Sequence, residues 1–132
     1  MPHQGVVIPG REPTLRVMPL PADMNGNGDI FGGWVMAQCD IAAAIPAMRR
    51  ARGRIATVAV NSFLFKQPIS VGDIVSFYAE IVRVGRTSIT VDVQVFAERH
   101  PANPVVVKVT EAQLTYVAIN DDGSKREVPA AA

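Results

Sequence analysis

The chain has 132 residues, 48% hydrophobic and 19% charged, with a formal net charge of +1, a balance that fits one globular domain. So even a charge excludes the global basic or acidic field that would draw nucleic acid or a membrane surface. The single cysteine, Cys39, excludes an internal disulfide, and its apolar neighbours make it a small core hydrophobe.

Residues 1–12 contain Pro2, Gly5, Pro9 and Gly10 and read as a flexible arm, while residues 123–132 read as a tail. That leaves one domain over 13–122. There is no basic-then-apolar leader at the N-terminus and no uninterrupted apolar span, so a soluble cytoplasmic protein is the default expectation. Thr14 to Leu20 predicts a short strand, closed by Pro19 and Pro21, and Asn25-Gly26-Asn27-Gly28-Asp29 predicts a loop. A helix is expected from Gly32 to about Arg50, with Gly53 as its stop. Arg49, Arg50, Arg52 and Arg54 cluster at its negative end, where the dipole favours them. Pro46 predicts a bend or a break between Ile45 and Met48, because in mid-helix it removes a hydrogen bond.

After the helix the pattern switches to the alternation of strands. Ile55 to Phe65 is rich in β-branched and aromatic residues and ends before Pro68. The turn Ser70-Val71-Gly72-Asp73 leads into a strand from Ile74 to Val84, closed by Gly85. In the strand from Thr87 to Ala97, Ile89, Val91, Val93 and Val95 share one face with Thr87. Ser88, Thr90, Asp92 and Gln94 share the other. Pro101 and Pro104 precede a last strand, Val105 to Ile119, followed by the turn signal Asp121-Asp122-Gly123.

A strand, a helix and four closely connected strands make an α+β chain with a mainly antiparallel sheet. The helix has almost no polar face, so one sheet with water behind it cannot satisfy it. It requires a curved sheet of about five strands around it and a second subunit over its remaining side. That is the hotdog architecture.

From Gly32 to Met48 the only charged side chain is Asp40. Burial disfavours an ionised carboxylate, so such a group is paired or functional. The nearest cation along the helix, Arg49, is nine residues on, and amides in a helix interior are already bonded. Gly32 and Gly33 open the helix, where free amides can take an anion or a developing oxyanion and a missing side chain allows close approach. A tight turn is the blander use of such a pair. Gly33 and Asp40 share a helix face but stand about 10 Å apart along its axis, too far to serve one carbonyl carbon. Two antiparallel helices across a dimer axis would bring Gly33 of one subunit to Asp40 of the other.

Other chemistries are poorly supplied. His3 and His100 are the only histidines, one in the arm and one in a proline-bounded loop, so neither a triad nor a metal cluster is evident. Cys39 and Asp40 are adjacent, so their side chains point about 100° apart, and an apolar setting raises a thiol's pKa. Lys66, Arg83, Arg86 and Lys108 read mainly as solvated surface. Arg86 beside Ser88, just after Gly85, is the best local phosphate candidate, since a glycine turn offers amides and an arginine fork together.

The run NGNGDIFGGWVMAQCD from Asn25 to Asp40 resembles the YciA-type acyl-CoA thioesterases, single-hotdog relatives of the brain-type acyl-CoA hydrolases. TVAVNSF from Thr57, PISVGD from Pro68 and Gly85-Arg86-Thr87-Ser88-Ile89 are similar to segments of the same family, and the likeness spans about residues 14–128. The chain departs from the pattern in having Cys39 where Met is usual, Asn61 where an acidic residue can occur, and Pro46 in the helix.

The resemblance implies hydrolysis of acyl-CoA to free acid and CoA, without a cofactor, by a homodimer assembled into a hexamer as a trimer of dimers, with neither nucleic acid nor membrane as partner. It puts the catalytic carboxylate on Asp40 and the oxyanion amide on Gly33. The substrate-binding candidates are Asn25, Asp29, Gly32, Asn61, Lys66, Arg86 and Ser88. Asp40 acting as general base on water and Asp40 attacking to give an anhydride both stay open. The competing functions are a hotdog hydratase or dehydratase, which would use a histidine with the carboxylate, and a module that only binds acyl-CoA.

Overall fold

A computed structural model describes residues 6–131. His3 and the first residues of the expected arm lie outside that range. Five strands, β1 (Leu15–Val17), β2 (Ile55–Phe65), β3 (Ile74–Val84), β4 (Ser88–Arg99) and β5 (Val105–Ala118), and one helix, α1 (Gly32–Ala51), form the domain. The strands make a single antiparallel sheet in the order β1-β3-β4-β5-β2. The helix packs against β2, β3, β4 and β5.

Val35, Cys39, Ala42, Ala43, Ala47 and Ala51 form the buried stripe of α1, spaced at helical period along one face. Most are alanine, so the helix axis lies close to the inner sheet face. Ile89, Val91, Val93 and Val95 are buried there, the face expected from the alternation in β4. Irregular pairings interrupt the β2–β5 ladder at Thr57/Ala59 and Val60/Ser62, and others interrupt β3–β4 and β4–β5. Such bulges sharpen the bend and twist of a strand and help the sheet curl around the helix.

Three expectations change. The first strand shrinks to Leu15–Val17, since Pro19 removes the ladder donor that would extend it. Pro46 neither breaks nor ends α1, which runs through to Ala51. Burial of Ala42, Ala43, Ala47 and Ala51 against the sheet holds both sides of the proline in place and outweighs the roughly 3 kcal/mol penalty of a mid-helix proline. The left-handed residue that stops the helix is Arg52, at φ 52° and ψ 46°, not Gly53. Arg52 Nη2 also donates to the Ala130 carbonyl at 3.3 Å.

The chain beyond β5 turns at Gly123 (φ 87°) and lies back on the domain. Val128 N donates to the Arg86 carbonyl at 2.8 Å, and Arg50 Nη1 donates to the Pro129 carbonyl at 2.5 Å. The Val128 side chain packs against the core.

One side of the protomer is left open. β2 is an edge strand of 11 residues, most of them exposed, with Val58, Val60, Leu64 and Phe65 among the exposed apolar side chains. Met36, Ile41 and Met48 are exposed on the neighbouring helix face. A long apolar edge beside an apolar helix face is the kind of surface that soluble proteins cover.

Candidate active site

Asp40 lies midway along α1, half-buried, where the helix meets the inner faces of β2 and β5. Two hydroxyls from those strands close on one of its oxygens. Thr57 Oγ1 donates to Asp40 Oδ1 at 3.0 Å, and the Tyr116 phenol is 2.8 Å from the same atom. Thr57 and Tyr116 are register partners in the β2–β5 ladder, so one cross-strand pair presents both groups to the helix. Asp40 Oδ2 has no hydrogen-bond partner among the described residues. The carboxylate forms one wall of an open cavity of about 250 Å³, lined otherwise by Ile41, Ala44, Met48, Ile55, Thr57 and Tyr116. This arrangement holds the carboxylate through one oxygen and leaves the other without a partner among the described residues, beside an apolar space.

The neighbouring groups are protonated and stay so. Burial, reinforced by the Asp40 charge, pushes the Cys39 thiol up to about 12, as a core role requires. Burial and then the hydrogen bond to Asp40 push the Tyr116 phenol well above its ordinary value, so it is a donor at any physiological pH.

Gly33 is the second residue of α1, exposed, and an added Cβ would meet nothing within 4 Å. At this position the helix offers its amide no intrahelical acceptor, and no other group of the described residues takes it. Gly32 is tighter: an added Cβ would lie 3.5 Å from the Phe65 ring.

The other candidates fall into separate groups. Asn25, Asp29, Gly32 and Lys66 meet around a cavity of about 310 Å³ between the loop before α1 and the end of β2. Within it, Asn25 Oδ1 accepts from the amides of Asn27 at 2.8 Å and Asp29 at 3.2 Å, an Asx-type turn. Lys66 Nζ is 3.8 Å from Glu111. Asn61 and Ser88 come together on the opposite face of the sheet, around a cavity of about 420 Å³. There Asn61 Nδ2 donates to Gln113 at 2.8 Å and Thr115 at 3.0 Å. The bulges in β2 turn Asn61 outward, so within the protomer it does not line the space around Asp40. Arg86 is exposed and pairs with Glu127 at 3.3 Å, apart from both groups.

Sequence reasoning assigned no role to Thr57 or Tyr116. For Tyr116 the signal was there: it is a hydroxyl on the inner face of a strand, among apolar positions, and a buried hydroxyl needs a partner; Thr57 is exposed and carried no such signal.

One helix in a curled five-stranded antiparallel sheet, with a lone carboxylate at the middle of that helix, defines a hotdog domain of the thioesterase kind. Residues 27–102 match the thioesterase superfamily. The acyl-CoA thioester hydrolase YciA of Salmonella typhimurium is 45% identical over 123 residues, 92% of each chain. A hexameric hotdog-fold thioesterase of Campylobacter jejuni superimposes with a TM-score of 0.86 at 40% identity, covering 90% of this chain and 91% of that one. An acyl-CoA hydrolase of Staphylococcus aureus, solved with butyryl coenzyme A and coenzyme A, superimposes with a TM-score of 0.80 at 33% identity, covering 88% and 70%. The chain belongs to the thioesterase superfamily, among the acyl-CoA thioester hydrolases of the YciA type.

Proposed function

We propose that this protein hydrolyses acyl-CoA to a free acid and CoA at a site shared by two subunits, with Asp40 Oδ2 as general base or nucleophile. The observation that carries the reading is the tethered carboxylate. Thr57 and Tyr116 hold Oδ1, Oδ2 has no partner among the described residues, and Asp40 borders an open apolar cavity where a thioester carbonyl and a water can reach it. The Gly33 amide of the facing subunit supplies the oxyanion donor, because the Asp40 and Gly33 of one helix are about 10 Å apart. Thiolate is a good leaving group, so the step needs no strong general acid, and the reading assigns no cofactor. CoA enters with the substrate and leaves as product.

The second subunit is a second copy of this chain. It extends the sheet by pairing along the free edge of β2 and covers Met36, Ile41 and Met48, which ties the site to the assembly. The hexameric state of relatives such as the Campylobacter thioesterase supports a trimer of such dimers, and a cytoplasmic location belongs to the same reading. Among the described residues no helix is long and apolar enough to cross a membrane. Of the candidate contacts, Asn25, Asp29, Gly32 and Lys66 are assigned to substrate, since they border one cavity at the helix start. Asn61, Ser88 and Arg86 are assigned to the CoA portion, across a subunit boundary.

Asp40→Asn keeps the size of the side chain and both hydroxyl contacts. In that variant, release of free CoA from a panel of acyl-CoA substrates should fall by at least about 10³-fold, with CoA binding retained. Turnover within tenfold of wild type would falsify the assignment.

A further inference from the structure

Resting on Asp40 as the reactive carboxylate, we infer that Tyr116 is a positioning residue: its phenol locks Asp40 through Oδ1 so that Oδ2 is the oxygen presented to substrate. The phenol is 2.8 Å from Asp40 Oδ1 and 2.9 Å from the Asp40 main-chain carbonyl, and its one hydrogen cannot serve both fully. The carbonyl sits in the interior of α1, where the helix already supplies it a donor. An anionic carboxylate is also the stronger acceptor. The hydrogen therefore goes to the carboxylate. Thr57 meets the same oxygen at 3.0 Å from the neighbouring strand. Two donors from two strands on one atom fix the carboxylate's rotation about χ2, which a single donor cannot do.

The charged surroundings are simple. The titratable groups against Asp40 are Cys39 on its own helix and Tyr116 on β5. Thr57 is the polar group from β2, and the rest of the cavity wall is apolar. Among the described residues no cation pairs with Asp40. The two hydroxyls are then what holds the carboxylate in one orientation, so loss of one frees its rotation.

Tyr116→Phe removes one oxygen and keeps the ring. The expected result is a fall in kcat of about tenfold or more with little change in KM. A phenol that only closes the helix carbonyl would lower thermal stability and leave kcat within about twofold of wild type, and that result overturns the inference. A second measurement needs no Phe variant: the ¹³Cζ resonance of Tyr116 at neutral pH in wild type and Asp40→Asn. Its chemical shift should move when the anionic acceptor of the phenol hydrogen becomes a neutral amide, and identical shifts would overturn the contact. The two assignments separate cleanly. An active Asp40→Asn ends both, whereas an inactive Asp40→Asn with a wild-type kcat for Tyr116→Phe ends only the positioning role.

Discussion

Arg99 Nε donates to Asp73 Oδ2 at 2.9 Å, and this pair fastens the loop before β3 to the end of β4. Asp73 is only 3% exposed. The same oxygen accepts from the Ser70 amide at 2.9 Å, while the Arg99 guanidinium also reaches the Pro68 carbonyl. Pro68 and Ile69 form part of the wall of the cavity at the helix start, and Ile69 takes the Ile30 amide at 2.9 Å. The pair is a structural clamp for one rim of the site. Asp73→Ala leaves a guanidinium and an amide without their acceptor in a sparsely hydrated setting. Urea denaturation should show a loss of about 3 kcal/mol, and a loss under 0.5 kcal/mol would mean the loop is held by something else.

The open edge of β2 carries a second prediction. Val58 is 52% exposed and is not among the residues that line the cavity at Asp40. A lysine there costs a lone protomer little, yet edge lysines are a device by which sheets refuse further strands. Val58→Lys should therefore lower the mass seen by light scattering from that of the assembly toward that of the protomer, and take thioesterase activity down with it. An intact assembly with full activity would place the shared site elsewhere.

Much of this was legible in the chain. β2 and β3 run over the residues expected of them, because Pro68, the Ser70–Asp73 turn and Gly85 leave little freedom for their ends. Alternation alone gave the inner face of β4. What escaped was tertiary. Pro46 reads as a breaker from local rules, but alanine burial along the helix overrides them. Which sheet face Asn61 takes depends on two register shifts in β2, which put it beside Gln113 and Thr115. Asp40 looked unpartnered because only its own helix could be searched, whereas its partners are 17 and 76 residues away.

Cys39 gives a pH dependence with a definite sign. Its thiol titrates at about 12 in the fold against about 8.5 to 9 in an unfolded chain, so above pH 9 the unfolded state loses a proton that the folded state keeps. Folding stability must then fall as pH rises from 9 toward 12, by about 1.4 kcal/mol for each pH unit once the unfolded thiol is ionised. Between pH 9 and 10.5 the wild-type denaturation midpoint should drop more steeply than that of Cys39→Ala, whatever their difference at pH 7. Tyr116 adds a decline of the same sign to both proteins and cancels in the comparison. Parallel curves would refute the buried thiol, as would rapid modification of Cys39 by a thiol reagent in the native state.

Gly33 can be tested through its amide rather than its missing side chain. Proline is tolerated in the first turn of a helix, where the first amides have no intrahelical acceptor to lose. The preceding residue, Gly32, has no Cβ to clash with the proline ring. Gly33→Pro thus deletes one N–H at little expense to α1. Removal of an oxyanion donor typically lowers kcat by about 10² to 10³-fold, and that is the loss expected with a melting temperature near wild type. Gly33→Ala keeps the amide, and its Cβ meets nothing within 4 Å in the protomer. If the alanine variant loses as much kcat as the proline variant, the glycine serves close approach of the substrate and not the oxyanion. If the proline variant alone fails, the donor is the amide, and mixing it with Asp40→Asn gives a decisive complement. A heterodimer of the two inactive chains holds one site with an intact Asp40 and an intact Gly33 from opposite subunits, and should recover hydrolysis that neither homodimer has.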